Sequence, residues 1–304
     1  MCFCCKIETE NDENEANDTV LNNLKGDDRY INYEQLASGG TSNVYKVFDI
    51  QFSTERICKK IKKIHFRKAF REITILKKIK KFNSKYLVEL IDVVTTPSYV
   101  KIIMPYDNSI DLHYLFFEKN SFELQSVYPF KKSNIMKQMA LCIRELHRFN
   151  FTHLDIKLEN YIITINGQVK LIDYGTTHHK SPKKNFLKST VGTKAYSSPE
   201  IYDNMYHTNS DIWSLGICYW MLFFNCMCFN HNELYKNKYD QYSKLQFFHF
   251  PNEFHLEKMN GCNLLLIDFF TSIFQIDPNT RLDINKIINF EFEKYIHEVN
   301  KYLK

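Results

Sequence analysis

The chain has 304 residues, 44% of them hydrophobic and 25% charged, and 40 basic against 35 acidic residues give a formal net charge of +5. This composition is ordinary for a soluble globular protein, and the length is sufficient for two lobes with sizeable cores. The basic excess is too small to indicate nucleic-acid binding by itself, and we expect no nucleic-acid partner.

Nine cysteines are present, most of them inside apolar runs where a free thiol behaves as a small hydrophobe. The start of the chain lacks the apolar stretch of a secretory signal, so we expect a reducing, cytoplasmic location without disulfides, with a nuclear or lipid-anchored fraction left open. Cys2, Cys4 and Cys5 could accept palmitate, and a membrane contact is expected only if one of them is lipidated. The acidic segment 8–18 would be repelled by an anionic leaflet, which favours the alternative of a frayed thiol-bearing terminus.

The first part of the chain is polar and then rich in strand-like patterns. Residues 1–28 are acidic and Asn-rich, and we expect them to be disordered. The pattern from Tyr30 to Ile64 is typical of β-strands, with a break at Ser38–Ser42. Apolar residues at 66, 70, 73 and 76 predict a helix, and two further strand-like runs precede a break at Pro105. The helix is predicted over Phe66–Ile79, and the two strands over Tyr86–Val94 and Tyr99–Met104.

The second part of the chain, after Pro105, is mainly helical in pattern. Apolar residues at 135, 139, 142, 143 and 146 predict an amphipathic helix. The run from Ile212 to Phe229 is apolar over about 18 residues, which is marginal for spanning a bilayer. Ser214 and Asn225 interrupt it, and we interpret it as the buried central helix of a large lobe. The boundary between the two parts is expected near Met104–Asp107.

Polar side chains flank a predicted hairpin in the middle of the chain. Two apolar runs, Tyr161–Ile165 and Val169–Ile172, are joined through Asn166-Gly167, which predicts a tight primed turn. Because a hairpin returns the chain to its start, Asn160 should end beside Asp173. Two hard oxygen ligands at one strand end suit Mg²⁺ held together with substrate phosphates.

The segment from His153 to Asn160, with Asp173-Tyr174-Gly175 after the hairpin, resembles the catalytic loop and metal-binding motif of protein kinases. Leu154 stands where the family usually has Arg, and Tyr174 where it usually has Phe. The resemblance implies that Asp155 accepts the proton of the substrate hydroxyl and that Lys157 neutralises phosphate charge. It also implies that Asn160 and Asp173 hold Mg²⁺.

The stretch between the first two predicted strands resembles the glycine-rich loop that covers ATP phosphates in kinases. Small residues let backbone N–H groups approach the phosphates closely, although Ala37 and Ser42 replace two of the usual glycines. The ATP-binding residues implied here are Leu36, Ala37, Ser38, Gly39, Gly40, Thr41, Ser42 and Val44.

Lys59 resembles the strand lysine that contacts the α- and β-phosphates, and Glu72 the helix carboxylate that pairs with it. Strand alternation then places Ile57, over the adenine, on the same face as Lys59. A register shifted by one residue would make Lys60 the catalytic cation instead. A solvated helix carboxylate is the alternative for Glu72.

The segment Met104-Pro105-Tyr106-Asp107 resembles the kinase hinge, with Met104 as gatekeeper and Tyr106 among the residues that bind ATP. Pro105 has no N–H, but it keeps the carbonyl that the hinge offers to adenine. Asp111 could reach the ribose, and a helix N-cap is the equally weighted alternative.

Three further motifs resemble the kinase pattern in the large lobe. Thr193 and Glu200 lie in a stretch like G-T-x-x-Y-x-A-P-E, and Asp211 begins the motif of the central helix. Arg281 lies in D-P-x-x-R, and the resemblance implies a structural ion pair between Arg281 and Glu200.

Together these matches run in order from residue 36 to about 281, and the chain is identified as a divergent member of the eukaryotic protein kinase superfamily. The glycine loop and Ile110-Asp111-Leu112 also look like the dual-specificity kinases of the spindle checkpoint. The bias toward Asn, Ile and Lys is typical of AT-rich genomes such as those of apicomplexans, where orphan kinases occur.

The resemblance implies an α+β, two-lobed fold with a small antiparallel-sheet N-lobe, one main helix in that lobe, and a larger, mostly helical C-lobe. We expect the kinase domain to span 29–304, with the N-lobe at about 29–104, the hinge at 105–107 and the C-lobe at about 108–304. The implied cofactors are ATP and Mg²⁺, and the implied partner is a protein substrate.

Lys157 and Thr193 follow the Ser/Thr-kinase pattern, so the expected activity is that of a Ser/Thr kinase of the non-RD type. A pseudokinase, or an ATP-binding scaffold with weak or no turnover, is the alternative. Candidate phosphorylation sites are Ser181, Ser189 and Thr190, which lie among the lysines of 180–188. That lysine cluster could equally be a solvated surface facing acidic substrates.

Overall fold

The computed structural model describes residues 27–118, 121–127, 130–179, 186–187, 191–227 and 263–302. The expected disordered segment up to residue 26, the three terminal cysteines and the candidate phosphorylation sites Ser181, Ser189 and Thr190 lie outside the described residues. The chain divides into two compact units, of which the first contains the described residues up to 83 together with 89–106. The second contains residues 84–88 and the described residues from 107 onward.

The first unit is built on a five-stranded antiparallel sheet with the strand order β1-β2-β3-β5-β4. Strand alternation sends Val47, Cys58 and Ile103 into one buried apolar cluster. The single α-helix of this unit in the described residues, α1, buries the stripe that its apolar spacing predicts. The elements are β1 Tyr30–Ser38, β2 Ser42–Asp49, β3 Thr54–Lys62, α1 Phe66–Lys80, β4 Asp92–Thr95 and β5 Tyr99–Pro105.

The strand predicted over Tyr86–Val94 is wrong in its first half, because β4 begins at Asp92. Leu87 makes only an isolated parallel bridge with Leu171, and the N–H of Val88 donates to the carbonyl of Leu171 at 3.1 Å. Both side chains are buried, so the apolar run serves the core of the second unit without extending the sheet. A continuous apolar run indicates that the residues are buried, but buried residues need not form a strand.

The second unit is mainly helical and is organised around one helix, Ser210–Phe224, whose residues are all buried. This position confirms the interpretation of the apolar run as a central helix for residues 212–224, where the helix ends, and residues 228–229 of the run lie outside the described residues. In the described residues, no helix has both the length and the apolar character needed to cross a membrane. The helices are α2 Leu112–Phe117, α3 Ser121–Val127, α4 Lys132–Arg148, α5 Pro199–Tyr202, α6 Ser210–Phe224, α7 Leu264–Ile273, α8 Ile284–Ile288 and α9 Phe292–Tyr302.

Two small sheets complete the second unit. The three-stranded sheet has the order β6-β8-β9, and β10 pairs with β7 in a two-stranded sheet. The strands are β6 Ile110–Asp111, β7 Phe151–Thr152, β8 Tyr161–Ile163, β9 Val169–Leu171 and β10 His178–His179.

The predicted hairpin is present as β8 and β9, but its connection is not the primed turn that Asn166-Gly167 suggested. A two-residue turn of that type needs positive φ at both central residues. Here Gly167 has φ +77, whereas Asn166 is not among the described residues with positive φ. The Gly167 N–H instead donates to the Thr164 carbonyl at 2.8 Å. The result is a longer loop with glycine in the left-handed position, which still returns the chain to its start.

Candidate active site

In the first unit, Lys59 on β3 and Glu72 on α1 form a buried ion pair. The Lys59 Nζ donates to Glu72 Oε1 at 2.8 Å and to Oε2 at 2.9 Å. Lys59 is 5% exposed and Glu72 is 1% exposed, so their pairing compensates for the hydration that both charges lose on burial. Lys60 points to the opposite face, where its Nζ lies 4.1 Å from the ring centroid of Tyr99.

Three of the predicted ATP-binding residues share the sheet face that carries Lys59. Val44 on β2 is the cross-strand partner of Lys59, and Ile57 is the partner of Met104 on β5. Ile57 precedes Lys59 by two residues, and cross-strand partners point the same way, so all four side chains lie on one face. Tyr106 follows β5, with the Lys46 Nζ 5.7 Å from its ring centroid.

The predicted glycine loop is the tight connection between β1 and β2. Strand β1 ends at Ser38 and β2 begins at Ser42, and the Gly39 N–H donates to the Ser42 carbonyl at 2.9 Å. The Thr41 hydroxyl accepts a hydrogen bond from Lys68 Nζ at 3.2 Å, which ties the loop to α1. Leu36 and Ala37 lie on β1 and are exposed.

In the second unit, Asp155 is held by hydrogen bonds on both carboxylate oxygens. Its Oδ1 accepts from the Thr193 N–H at 2.8 Å and from Thr193 Oγ1 at 2.7 Å. The Asn160 Nδ2 donates to Asp155 Oδ2 at 3.2 Å and to the Asp155 carbonyl at 2.7 Å. Lys157 Nζ lies 3.9 Å from Asp155 Oδ2 and donates to Thr193 Oγ1 at 3.1 Å. The carboxylate therefore has a fixed orientation beside a cation.

The loop that carries Asp155 is anchored to the central helix α6 by the buried Asp211. Its carboxylate accepts from the N–H groups of His153 at 2.8 Å and Leu154 at 2.9 Å. His147 on α4 completes this anchor, with Nε2 at 2.8 Å from Asp211 Oδ2. His147 was not predicted as a site residue, although its position on the last turn of an amphipathic helix leading into the loop was a usable signal.

The hairpin brings Asn160 and Asp173 to the same strand end. The Ile172 N–H donates to the Asn160 carbonyl at 2.9 Å, which places the start of β8 against the residue before Asp173. Asp173 adopts a left-handed conformation with φ +59, and its Oδ1 accepts from the Gly175 N–H. Asn160 uses its amide nitrogen for the Asp155 contacts, so its amide oxygen is the atom available to a cation.

This donor set fits Mg²⁺. Magnesium in nucleotide sites is held by one or two hard protein oxygens, with phosphate oxygens and water completing its shell. In the described residues, no group of three or more His, Cys, Asp or Glu side chains could hold a metal alone. One amide oxygen and one carboxylate would supply the protein's share of such a magnesium shell.

Asp111 has the helix-capping function that was one of its two predicted roles. Its Oδ1 accepts from the Tyr114 N–H at 2.8 Å at the start of α2. Burial raises the pKa of this carboxyl, and the backbone hydrogen bonds offset only part of that effect. The ribose contact stays a prediction.

Glu200 and Arg281 form a bidentate ion pair in the second unit. Arg281 Nη1 donates to Glu200 Oε1 at 2.8 Å, and Nη2 donates to Oε2 at 2.7 Å. The Ser210 hydroxyl also donates to Glu200 Oε1, at 2.6 Å. Burial acts to raise the pKa of Glu200, but the Arg281 contacts outweigh it, and the net pKa lies below its usual value. The side chains are 0% and 12% exposed for Arg281 and Glu200, so the pair is almost fully desolvated.

Comparison with known proteins decides the family. The model of the protein kinase domain matches residues 30–292, which is most of the chain. The chain belongs to the protein kinase family. Its fold is accordingly the two-lobed α+β fold that the sequence predicted, with an antiparallel sheet and one main helix in the first unit and a mostly helical second unit.

Curated relatives are similar at low identity. The dual specificity protein kinase TTK of Mus musculus is 28% identical over 64% of this chain and 24% of its own length. The SNF1-like protein kinase ssp2 of Schizosaccharomyces pombe is 26% identical over 85% of this chain and 43% of its own length. The calcium-dependent protein kinase 4 of Plasmodium falciparum is 26% identical over 74% and 42%, respectively. The chain thus spans less than half the length of these relatives.

The Lys59–Glu72 pair allows a matched test of the strand register. Lys59→Met should raise the KM for ATP about 10–150-fold, since a charged hydrogen bond contributes ~1.5–3 kcal/mol. Lys60→Met is the control, because Lys60 lies on the opposite face over Tyr99. Steady-state kinetics with varied ATP measures both. A normal KM for Lys59→Met together with a large rise for Lys60→Met would assign the phosphate contact to the other lysine.

Proposed function

We propose that the protein is an active ATP-dependent protein kinase that transfers the γ-phosphate to Ser and Thr hydroxyls. The observation that carries the proposal is the arrangement around Asp155. Its carboxylate is oriented by Thr193 and Asn160, it has Lys157 beside it, and the loop is anchored by a buried aspartate. These are the parts that phosphoryl transfer requires from a protein, namely positioning and charge stabilisation.

Asp155 is the proposed general base. Both of its oxygens already accept hydrogen bonds, so the carboxylate presents a fixed lone pair to an incoming hydroxyl. It takes the hydroxyl proton as the oxygen bonds to the γ-phosphorus, while the bond from that phosphorus to the bridging oxygen breaks and ADP leaves. Lys157, in contact with Thr193, is proposed to neutralise the negative charge on the oxygens of the transferred phosphoryl group.

Each unit contains residues that we propose for nucleotide binding. Lys59, held by Glu72, is the proposed partner of the α- and β-phosphates, and 36–44 is the proposed phosphate-covering loop. Asn160 and Asp173 are the proposed Mg²⁺ ligands, and the bound metal would neutralise phosphate charge. The hinge proposed at 105–107 would offer backbone groups to adenine, within a kinase domain proposed at 29–304.

The preference for Ser and Thr rests on Lys157 and Thr193, which contact each other and the base. The kinase is proposed as non-RD, because Leu154 provides no cation for a phosphate. The alternative is a pseudokinase or ATP-binding scaffold. The complete set of acid, base and metal-binding groups is the reason for preferring the active enzyme. A cytoplasmic location is part of the proposal, with a lipid-anchored fraction if the terminal cysteines are acylated.

The decisive experiment is radiolabelled phosphate transfer from γ-labelled ATP to a protein library in the presence of Mg²⁺. We expect labelling of Ser and Thr, identified by phosphoamino-acid analysis, and loss of labelling with Asp173→Asn or with a chelator. Asp268→Asn is the matched control, because the same chemical change is made at an exposed carboxylate on α7. Nucleotide binding without transfer would favour the scaffold, and labelled tyrosine would overturn the Ser/Thr assignment.

A further inference from the structure

Leu154, the residue before Asp155, combines an unfavourable backbone conformation with near-complete burial. Its φ is +64, in the region that bulky side chains rarely adopt, and it is only 7% exposed. A backbone of this kind persists where the surroundings determine it. Here the surroundings are an apolar cluster, which we call the Leu154 cluster. It consists of Leu154, Leu187, Ile201 and Tyr206, with the half-buried Val191 packed against it.

The Leu154 cluster joins the catalytic loop to the segment between Asp173 and Glu200. Leu187 and Val191 belong to that segment, whereas Ile201 lies on α5 immediately after it. The Leu187 N–H donates to the Asn204 carbonyl at 2.7 Å, which fixes the backbone at this point as well. Removing these side chains from water is therefore one of the forces that hold the segment against the loop.

Three consecutive residues of the segment meet two consecutive residues of the loop. Val191 packs on the Leu154 cluster. Gly192, with φ +81, lies so close to the Leu154 carbonyl that a Cβ at this position would collide with it. Thr193 then donates twice to Asp155 Oδ1, through its N–H and its hydroxyl. The position of Val191 therefore determines whether Thr193 reaches the proposed base.

We propose that Leu154 is a positioning residue, whose apolar contact with Leu187 and Val191 keeps Thr193 in register with Asp155 without a phosphate on the segment. The expected effect on catalysis rests on the proposed function, whereas the packing of Leu154 does not. A leucine side chain has no charged group to receive a phosphate, so the positions of Leu187 and Val191 against the catalytic loop depend on apolar burial. We therefore expect appreciable activity from the unphosphorylated protein.

The experiment compares wild type, Leu154→Ala and Leu154→Met after phosphatase treatment, with mass spectrometry showing that residues 176–193 are unmodified. The first readout is hydrogen exchange at the Leu187 and Thr193 amides, whose acceptors are the Asn204 carbonyl and Asp155. Amides within α6 report on global unfolding. The second readout is kcat and KM for a peptide substrate and for ATP. Leu264→Ala is the control, because Leu264 is 75% exposed on another helix.

For Leu154→Ala we expect at least tenfold faster exchange at both amides with α6 unchanged, and at least a tenfold loss in kcat/KM for the peptide with the KM for ATP unchanged. Leu154→Met, which refills the volume with an apolar side chain, should restore most of the protection of the two amides and most of the kcat/KM for the peptide. Wild-type exchange in Leu154→Ala would overturn the proposal, as would a methionine variant no better than alanine, or a wild type active only when phosphorylated. If the wild type transfers no phosphate at all, the proposed function fails, whereas the exchange data still decide the packing.

Discussion

Replacing Asp155 with Asn should lower kcat about 10²–10⁴-fold, the usual contribution of general acid–base catalysis. The amide keeps the size of the carboxylate and one acceptor oxygen for Thr193, but it cannot take a proton from the substrate. The KM for ATP should stay close to wild type, because the proposed phosphate and metal ligands Lys59, Asn160 and Asp173 all remain in the chain. Steady-state kinetics with separately varied ATP and peptide measures this division.

The contacts of Asp155 define the controls for that experiment. Asn in place of Asp155 will turn one NH₂ group toward either Thr193 or Asn160, both of which donate to the carboxylate now. Thr193→Val removes the hydroxyl contact and leaves the proton acceptor, so its kcat should fall less than that of Asp155→Asn. An Asp155→Asn enzyme within tenfold of wild-type kcat would show that another group accepts the proton.

Motifs with fixed spacing were the part of the site that the sequence could predict. The segment 153–160, the hairpin and Asp173 are close in the chain, so local strand geometry already placed Asn160 near Asp173. The pairing of Lys59 with Glu72 was implied by the resemblance to protein kinases, and strand alternation added only the preference for Lys59 over Lys60. Such contacts depend on short stretches whose conformation the local residues determine.

Contacts between distant segments were not predictable in the same way. The Leu154 cluster joins Leu154 to residues that lie 33 to 52 positions later in the chain, from Leu187 to Tyr206. No periodicity in the sequence predicts contacts between segments so far apart. From the sequence, Leu154 was noted only as the residue that stands where the family usually has Arg. Residues 86–88 were assigned to a strand for a related reason, since burial in the core of the second unit and burial in a sheet leave the same apolar pattern.

Arg281→Ala should destabilise the protein by about 3–5 kcal/mol, the usual cost of removing one partner of a buried ion pair. The loss is large because Glu200 would remain desolvated without its two Arg281 bonds. Arg281 also donates to the backbone carbonyls of Asn209, Gln275 and Ile276, which would lose a donor. Chemical denaturation measures the change, and Lys286→Ala, at an exposed cation nearby, is the control.

A double variant distinguishes the destabilisation caused by an unpaired buried charge from the destabilisation caused by lost packing. Glu200→Gln combined with Arg281→Ala should be less destabilised than the sum of the single changes, since no buried charge is then left alone. Additive losses would show that the two side chains contribute independently. An unchanged unfolding midpoint for Arg281→Ala would show that the pair is not desolvated in solution.

The same pair predicts a dependence of stability on pH. The Arg281 contacts hold the pKa of Glu200 below its usual value, so the folded state binds fewer protons at this site than the unfolded chain. The stabilisation is therefore complete above the unfolded-state pKa of about 4.3 and is lost as the pH falls toward the folded-state pKa. In Arg281→Ala the buried carboxyl instead favours its neutral form, so acid relieves its desolvation cost. The difference in unfolding free energy between wild type and Arg281→Ala should thus be largest at high pH. It should begin to narrow as the pH falls through the raised folded-state pKa of Glu200 in the variant, and it should keep narrowing below about pH 4.3, where the wild type loses its stabilisation. A difference that grows as the pH falls would contradict a charged Glu200–Arg281 pair in the folded protein.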